Sequence, residues 1–482
     1  MKIHKSAVWL SLSALVLIPM VGCWWRHGNS ATTAVVTQGQ SGKVVQGAVS
    51  GATVWADNIT SGTSDVRFVI DSDEQGTKTT SAADGTFTLP IQPGYKYVLV
   101  SQGGTDTITN QPANTMLAPA GANVVTGLTT LVTLDTTGNL AAAINGLMPN
   151  GTSFNSDITA SGSLTPAALV LLSSIESAVT TLNQTIQKAA TASGATLTPQ
   201  QQTDIELILY SQIASTFSSL STASLENTAS LAANLQTALF SAETTIQANN
   251  SNIKLQNTAA IASSIANNAV AAAAQVVGNA TNNTALEGVT ASNVQSAPVT
   301  SPVNTSITET TVMTTANTAI VNNAINSVST TDSSNVTATS TPTTYAPPTI
   351  AVSNNPSIIG YQLQINASGN VWDVASFQIT FSDDMVSTTS GGSNYSHSVL
   401  NPANYSFTQG SCTPTSYSSK VVTFTCQPLS SGAFGVTTTA YTSGSGDLAS
   451  TTTNGGLLVN NTKTFTIPFT TGSTGGTSLN MF

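Results

Sequence analysis

The chain has 482 residues, too many for one ordinary hydrophobic core, so about two to four domains are expected. Only 7% of the residues are charged and the formal net charge is −10, which excludes a nucleic-acid-binding surface, since phosphate recognition needs clustered Lys and Arg. Hydrophobic residues make up 40% of the chain, more than a solvated disordered tail carries, so Ser, Thr, Asn and Gln are expected to form the surface of folded domains. With so few basic groups, self-repulsion in acid would be mild. The surface therefore suits either an acidic habitat or an ordinary Ser/Thr-rich exterior.

The chain opens with Lys2 and Lys5, then an apolar run from Ala7 to Pro19 that is short for a membrane span. The run ends in Met20-Val21-Gly22-Cys23, which resembles the bacterial lipobox, with Met20 where Leu is usual. That resemblance implies a lipoprotein signal peptide over 1–22 and a diacylglyceryl anchor on Cys23, firmly held to a membrane. The residue after Cys23 is Trp24 and not Asp, which in the lipoprotein pattern implies sorting to an outer membrane. An ordinary export signal with an incidental cysteine is the alternative. Residues 23–42 read as a flexible tether.

From residue 43 the period becomes two. Val44-Val45, Thr53-Val54-Trp55, Arg67-Phe68-Val69-Ile70, Thr86-Phe87-Thr88-Leu89 and Tyr97-Val98-Leu99-Val100 are predicted strands, with a tight turn at Asp84-Gly85. Together they predict an antiparallel β-sandwich over 43–135. Gly47 to Val54, Thr79 to Leu89, Ser101 to Asp106 and Leu128 to Leu131 resemble the transthyretin-like modules of bacterial surface proteins, both carboxypeptidase-regulatory-like and Cna-B-like. Such a module implies a spacer or presenter, not a catalyst.

The period then becomes helical over 160–280. Thr165-Pro166 and Thr198-Pro199 each place an N-cap before a proline at the first helical position. Leu172, Ile175, Val179, Leu182 and Ile186 form a coiled-coil seam, and Ile205, Leu209, Ile213, Phe217 and Leu220 form a second stripe. Leu231, Leu235, Leu239 and Ile246, then Ile253, Ile261, Ile265 and Val276, predict two more helices, and so a bundle with Ser, Thr, Asn and Gln on its outer faces. The alanine-rich run from Ala269 to Ala274 predicts close helix contact. Residues 281–350 read as a Thr/Ser/Asn-rich stalk, with one further helix as the alternative.

Strands are predicted again at Ile358-Ile359, Tyr361 to Ile365, Phe377 to Phe381, Tyr405 to Phe407, Val421 to Thr425 and Thr464 to Ile467. Phe377 to Met385, followed by Asn401 to Phe407, resembles the bacterial Ig-like domain of S-layer proteins, implying an Ig-like β-sandwich over 351–470 and a flexible tail at 471–482. The fold class expected is thus multidomain α+β: an N-terminal β-sandwich, a central helical bundle and a C-terminal Ig-like sandwich.

Cys412 and Cys426, 14 apart between two strand candidates, predict a disulfide across a hairpin; two free thiols or half a metal site are the alternatives. Asp57, Asp65, Asp71, Asp73 and Glu74 are the densest acidic cluster and a candidate calcium site, against an ordinary solvated loop. An EF-hand is excluded, because the twelfth position after Asp71 is Ala82. His27 and His397 are the histidines beyond the leader, too few and too poorly placed for a triad or a two-histidine metal site. Glu176, Glu206, Glu226 and Glu243 are expected on solvated helix faces, and Gly103-Gly104 lacks phosphate-loop grammar. No enzyme activity and no cofactor other than calcium are expected. The sequence thus reads as a non-catalytic outer-membrane lipoprotein with a structural or adhesive role. Its expected partners are the membrane through Cys23 and an envelope protein or polysaccharide. An accessory carbohydrate-binding component of a degradative system and a self-assembling filament subunit are the rival readings.

Overall fold

The computed structural model describes residues 38–60, 67–91, 94, 96–107, 110–158, 164–192, 196–249, 255, 258–280, 349–368, 371–440, 448–449, 456–467 and 478–481. The signal peptide, Cys23, Asp65 and positions 281–348 of the expected stalk lie outside the described residues. The fold is mixed α+β.

Alternating polar and apolar residues do form strands where expected, and two predicted boundaries move outward. β1 (Gln38–Val44) begins inside the expected tether and pairs antiparallel with β5 (Thr86–Ile91). Along β5 Thr86 and Thr88 are exposed while Phe87 and Leu89 are buried, the mark of one covered face. The turn before it is fixed by Asp84, whose carboxylate accepts from the Thr86 backbone N–H (3.1 Å) and hydroxyl (2.7 Å). Gly85 has φ +82°, and a Cβ there would lie 2.5 Å from the Val44 carbonyl oxygen, so glycine is required.

A second sheet is built from β3 (Thr53–Asn58), β4 (Lys78–Thr80), β6 (Tyr97–Gln102) and β8 (Met116–Pro119), in the order β4-β3-β6-β8. Residues 97–101 of β6 are all buried, so this strand is covered on both faces. The neighbouring strand β8 is packed by α1 (Gly127–Leu134), in which every residue is buried. Thr126 and Thr129 form a reciprocal capping box at its start. Thr129 donates to the Leu117 carbonyl (2.7 Å) while the Leu117 N–H donates to Thr130 (2.9 Å). Threonine hydroxyls thus join helix to strand where the sequence suggested only a module motif.

Arg67 to Ile70 is a turn, not the predicted strand. Phe68 sits at φ +61° with its ring buried, and its N–H donates to Asp57 Oδ1 at 2.8 Å. A bulky residue in the left-handed region is costly, and burial of the ring together with this hydrogen bond holds it there.

The helical prediction matches closely. α3 (Pro166–Ala192) and α4 (Pro199–Phe217) start at the two expected prolines, capped by Thr165 and Thr198. α5 (Thr222–Glu226), α6 (Thr228–Asn249) and α7 (Thr258–Ala280) follow. The seam residues of α3 and the stripes of α4 and α6 are buried apart from Leu220, which is half-buried. The expectation of a polar outer face fails for α3, whose residues 171–183 are buried all round. Some of its hydroxyls bond back to the helix, Ser174 to the Val170 carbonyl (2.6 Å) and Thr185 to that of Thr181 (2.8 Å), while Thr180 pairs with Asn114 and the buried hydroxyls of Ser177 and Thr181 have no partner among the described residues. Self-satisfied serine and threonine behave as small packing residues. On α7, Ala262, Ala266, Ala269 and Ala273 are all fully buried, and this helix packs on α3 and α6. One continuous core runs from the β-layers through the helices.

A separate core lies in the C-terminal part. The strands here are β10 (Ile358–Ser368), β11 (Val371–Phe381), β12 (Tyr405–Phe407), β13 (Cys412–Ser418), β14 (Val421–Cys426), β15 (Gly432–Thr438), β16 (Asn461–Ile467) and β17 (Ser478–Met481). Five make the sheet β13-β14-β11-β10-β17 and three the sheet β12-β15-β16. The tail expected to be flexible contains β17, which pairs Met481 with Leu363. Pro414 is tolerated because β13 is an edge strand.

The two cores touch directly. Gly94 N–H donates to the Ile359 carbonyl (3.0 Å), Ser353 N–H to that of Thr133 (2.6 Å), and Lys96 pairs with Asp383 at 3.2 Å. These bonds join residues of the two cores directly. Among the described residues no helix is long and apolar enough to cross a membrane.

Candidate functional site

The acidic residues singled out from the sequence hold a loop together. Asp73 Oδ2 accepts from Asn58 Nδ2 (2.9 Å), Asp71 Oδ1 from the Asp73 N–H (3.2 Å), and buried Glu74 from the backbone of Asn58 (2.6 Å) and Asp71 (3.3 Å). Asp57, at the end of β3, receives the Phe68 N–H. Hydrogen bonds, first from Asp71 and then from Asn58, hold the Asp73 carboxyl below its ordinary range. The carboxylates thus fold residues 67–77 back onto β3. Among the described residues no three metal-ligating side chains converge.

Cys412 and Cys426 stand directly opposite in the β13–β14 hairpin and are joined by a disulfide. Ser419 and Lys420 make the two-residue turn with φ +51° and +67°, the twist a tight hairpin requires. Closing a loop of this length restricts the unfolded chain, so reduction should lower stability by about 3 kcal/mol. Denaturant unfolding with and without reductant reads this, and equal midpoints would contradict it. His397 lies in a short turn, its carbonyl accepting from the Ala449 N–H (3.1 Å).

A polar cleft lies elsewhere, between the β-layer and the helices. Beyond β6 the chain turns through Gly103 and Gly104, both at positive φ. A Cβ on Gly104 would sit 2.6 Å from the Ala52 backbone nitrogen. Residues 111–115 then return toward β8. Opposite them α3 presents Thr180, Asn183, Gln184 and Gln187, spaced i, i+3, i+4 and i+7 on one face. The first turns of α4 add Gln202, Thr203 and Glu206. The cleft so enclosed has a volume of about 320 Å³.

Its floor is a hydrogen-bonded network. Gln102 Nε2 donates to Thr203 (2.5 Å), Asn114 Nδ2 to Thr180 (3.2 Å), and Gln187 Nε2 to Asn183 Oδ1 (3.2 Å). Asn114 is itself fixed by its N–H on buried Gln46 (2.8 Å). Glu206 accepts from Asn183 Nδ2 at 2.7 Å and from the Thr115 N–H at 2.8 Å. Burial raises its pKa to about 7, against the lowering effect of those Thr115 and Asn183 bonds.

The described lining contains this one carboxyl and no Lys, Arg, His or aromatic side chain. Such an arrangement can orient a neutral polar group through many hydrogen bonds. The lining offers no second ionisable group to pair with Glu206 for acid–base work.

Three of the four helical glutamates depart from the solvated positions expected of them. Glu176 and Glu243 are buried, and Glu206 faces the cleft; Glu226 is exposed. The signal was present for Glu243, which falls four after Leu239 and three before Ile246 in the apolar stripe of α6. The cleft itself was missed, because Gln and Asn at helical spacing read as a wet surface until residues 102–103 and 111–115 are placed over them. Compared with known families, curated proteins and solved structures, the chain matches none.

Proposed function

We propose that the protein is an exported, non-catalytic envelope lipoprotein, anchored in the outer membrane through Cys23 and serving a structural or adhesive role. The carrying observation is the disulfide between Cys412 and Cys426 in a chain that opens with Met20-Val21-Gly22-Cys23. A cross-link and a lipidation motif both belong to compartments outside the reducing cytosol. In this reading the C-terminal strands form an Ig-like module and residues 43–135 a transthyretin-like one.

Replacing Cys23 by Ser tests the anchor. The unaltered protein should sediment with membranes and the variant should move to the soluble fraction. A variant that stays with the membrane, or an unaltered protein that is soluble, would count against the reading.

A further inference from the structure

The geometry points to the cleft between residues 102–103 and 111–115 on one side and helices α3 and α4 on the other as a binding site for a neutral saccharide, one or two sugar residues of an uncharged glycan. This rests on, and deepens, the adhesive reading above by naming what is held. The cleft volume, about 320 Å³, lies at the small end of ligand-sized cavities.

Charge decides the class. Phosphate, sulfate or carboxylate ligands are held by Arg and Lys, and the described lining has neither. A cation would meet a single carboxyl already engaged by Asn183 and Thr115. What remains is a neutral molecule dense in groups that both donate and accept. Amide side chains match vicinal hydroxyls, because each amide offers an N–H pair and a carbonyl oxygen side by side.

Preformation supports this. Buried Asn114, Thr180, Asn183 and Thr203 are locked by hydrogen bonds to one another and to their neighbours, so the floor loses little freedom on binding. Above it, the half-buried side chains of Gln184 and Gln202 have no hydrogen-bond partner among the described residues. Two free amides poised over a fixed polar floor are what a ligand hydroxyl pair would complete. A peptide is less well served, as the lining has no apolar recess for side chains beyond Pro112, Ala113 and Pro199. With no aromatic ring to stack on, affinity should be modest, about millimolar, and exchange fast.

The test is saturation-transfer NMR on the full chain with glucose, galactose, N-acetylglucosamine, maltose and cellobiose, and with glucuronate as the charged control. Transfer to at least one neutral sugar is expected, and none to glucuronate. The double variant Gln184→Ala/Gln202→Ala should weaken binding tenfold or more, about fivefold for each lost hydrogen bond. Gln212→Ala, on α4 outside the cleft, should leave it unchanged. Thermal melts establish that both variants fold, and Asn183→Leu provides an independent block of the floor. Absence of transfer to every neutral probe overturns the proposal, as does equal binding by the double variant or by glucuronate. None of those outcomes touches the anchor, which is read separately from the Cys23→Ser fractionation.

Discussion

The unfolding midpoint should fall as pH rises from 5 to 9. Glu243 is fully buried on α6 and both its carboxyl oxygens lack a hydrogen-bond partner among the described residues. Burial alone raises its pKa from 4.5 to about 9, and α7, packed against it, carries no titratable residue. On α4, Glu206 is raised to about 7, chiefly by burial. A folded pKa above the unfolded value means that the native state binds the proton more tightly. The stability so gained is complete below about pH 4.5 and drains away as pH climbs through 7 and 9. At about 1.4 kcal/mol per unit, Glu243 alone would cost roughly 3–5 kcal/mol by pH 8, a large part of the stability of an ordinary domain. Asp73 works in the opposite sense, since its lowered pKa gives stability above pH 3.8 that is lost as pH falls through its folded value. The optimum is therefore expected in mild acid, where the scarcity of basic residues also keeps self-repulsion small. Glu243→Gln should flatten the dependence between pH 6 and 9. Melts that rise with pH, or a variant with the slope intact, would contradict this account.

Phe377→Ala should destabilise the C-terminal body by about 3–5 kcal/mol. Phe377 is fully buried on β11, the central strand of the five-stranded sheet. Its ring centroid lies 5.0 Å from Phe424, 5.7 Å from Phe434, 6.2 Å from Phe407 and 6.4 Å from Phe465, mostly edge to face. Deleting it removes one partner from four aromatic contacts and leaves a cavity walled by both sheets. Phe407, half-buried at the edge of the same cluster, should cost clearly less when truncated. Denaturant unfolding of both variants compares them; equal costs, or none for Phe377, would show that the core is not organised around this ring.

How far the fold could be read from the chain depended on where hydrogen bonds and burial are decided. Helix starts were legible because Thr-Pro pairs act locally: Thr198 caps α4 with its own Gln201. The seam of α3 was legible because leucine and isoleucine at steps of three and four have one plausible destination. The burial of its serines and threonines was not, because a hydroxyl bonded to the carbonyl four residues back looks the same in sequence as one facing water. Phe68 misled because a strand-like run was bent by a distant carboxylate, Asp57. β17 and the cleft depend on partners far away in the chain, Leu363 for the first and residues 102–103 and 111–115 for the second. The disulfide was legible from two cysteines at a hairpin spacing together with the expectation of an oxidising compartment. The acidic cluster was legible as a cluster, while its role in tying a loop to β3 followed only from the backbone it faces.

The most direct measurement for the central claim is the mass of the N-terminal peptide of protein taken from its native cell. The account predicts that the polypeptide begins at Cys23, which carries a diacylglyceryl thioether, and that Cys412 and Cys426 remain cross-linked. A peptide still bearing Met1 to Gly22, with Cys23 as a free thiol, would contradict export and anchoring together.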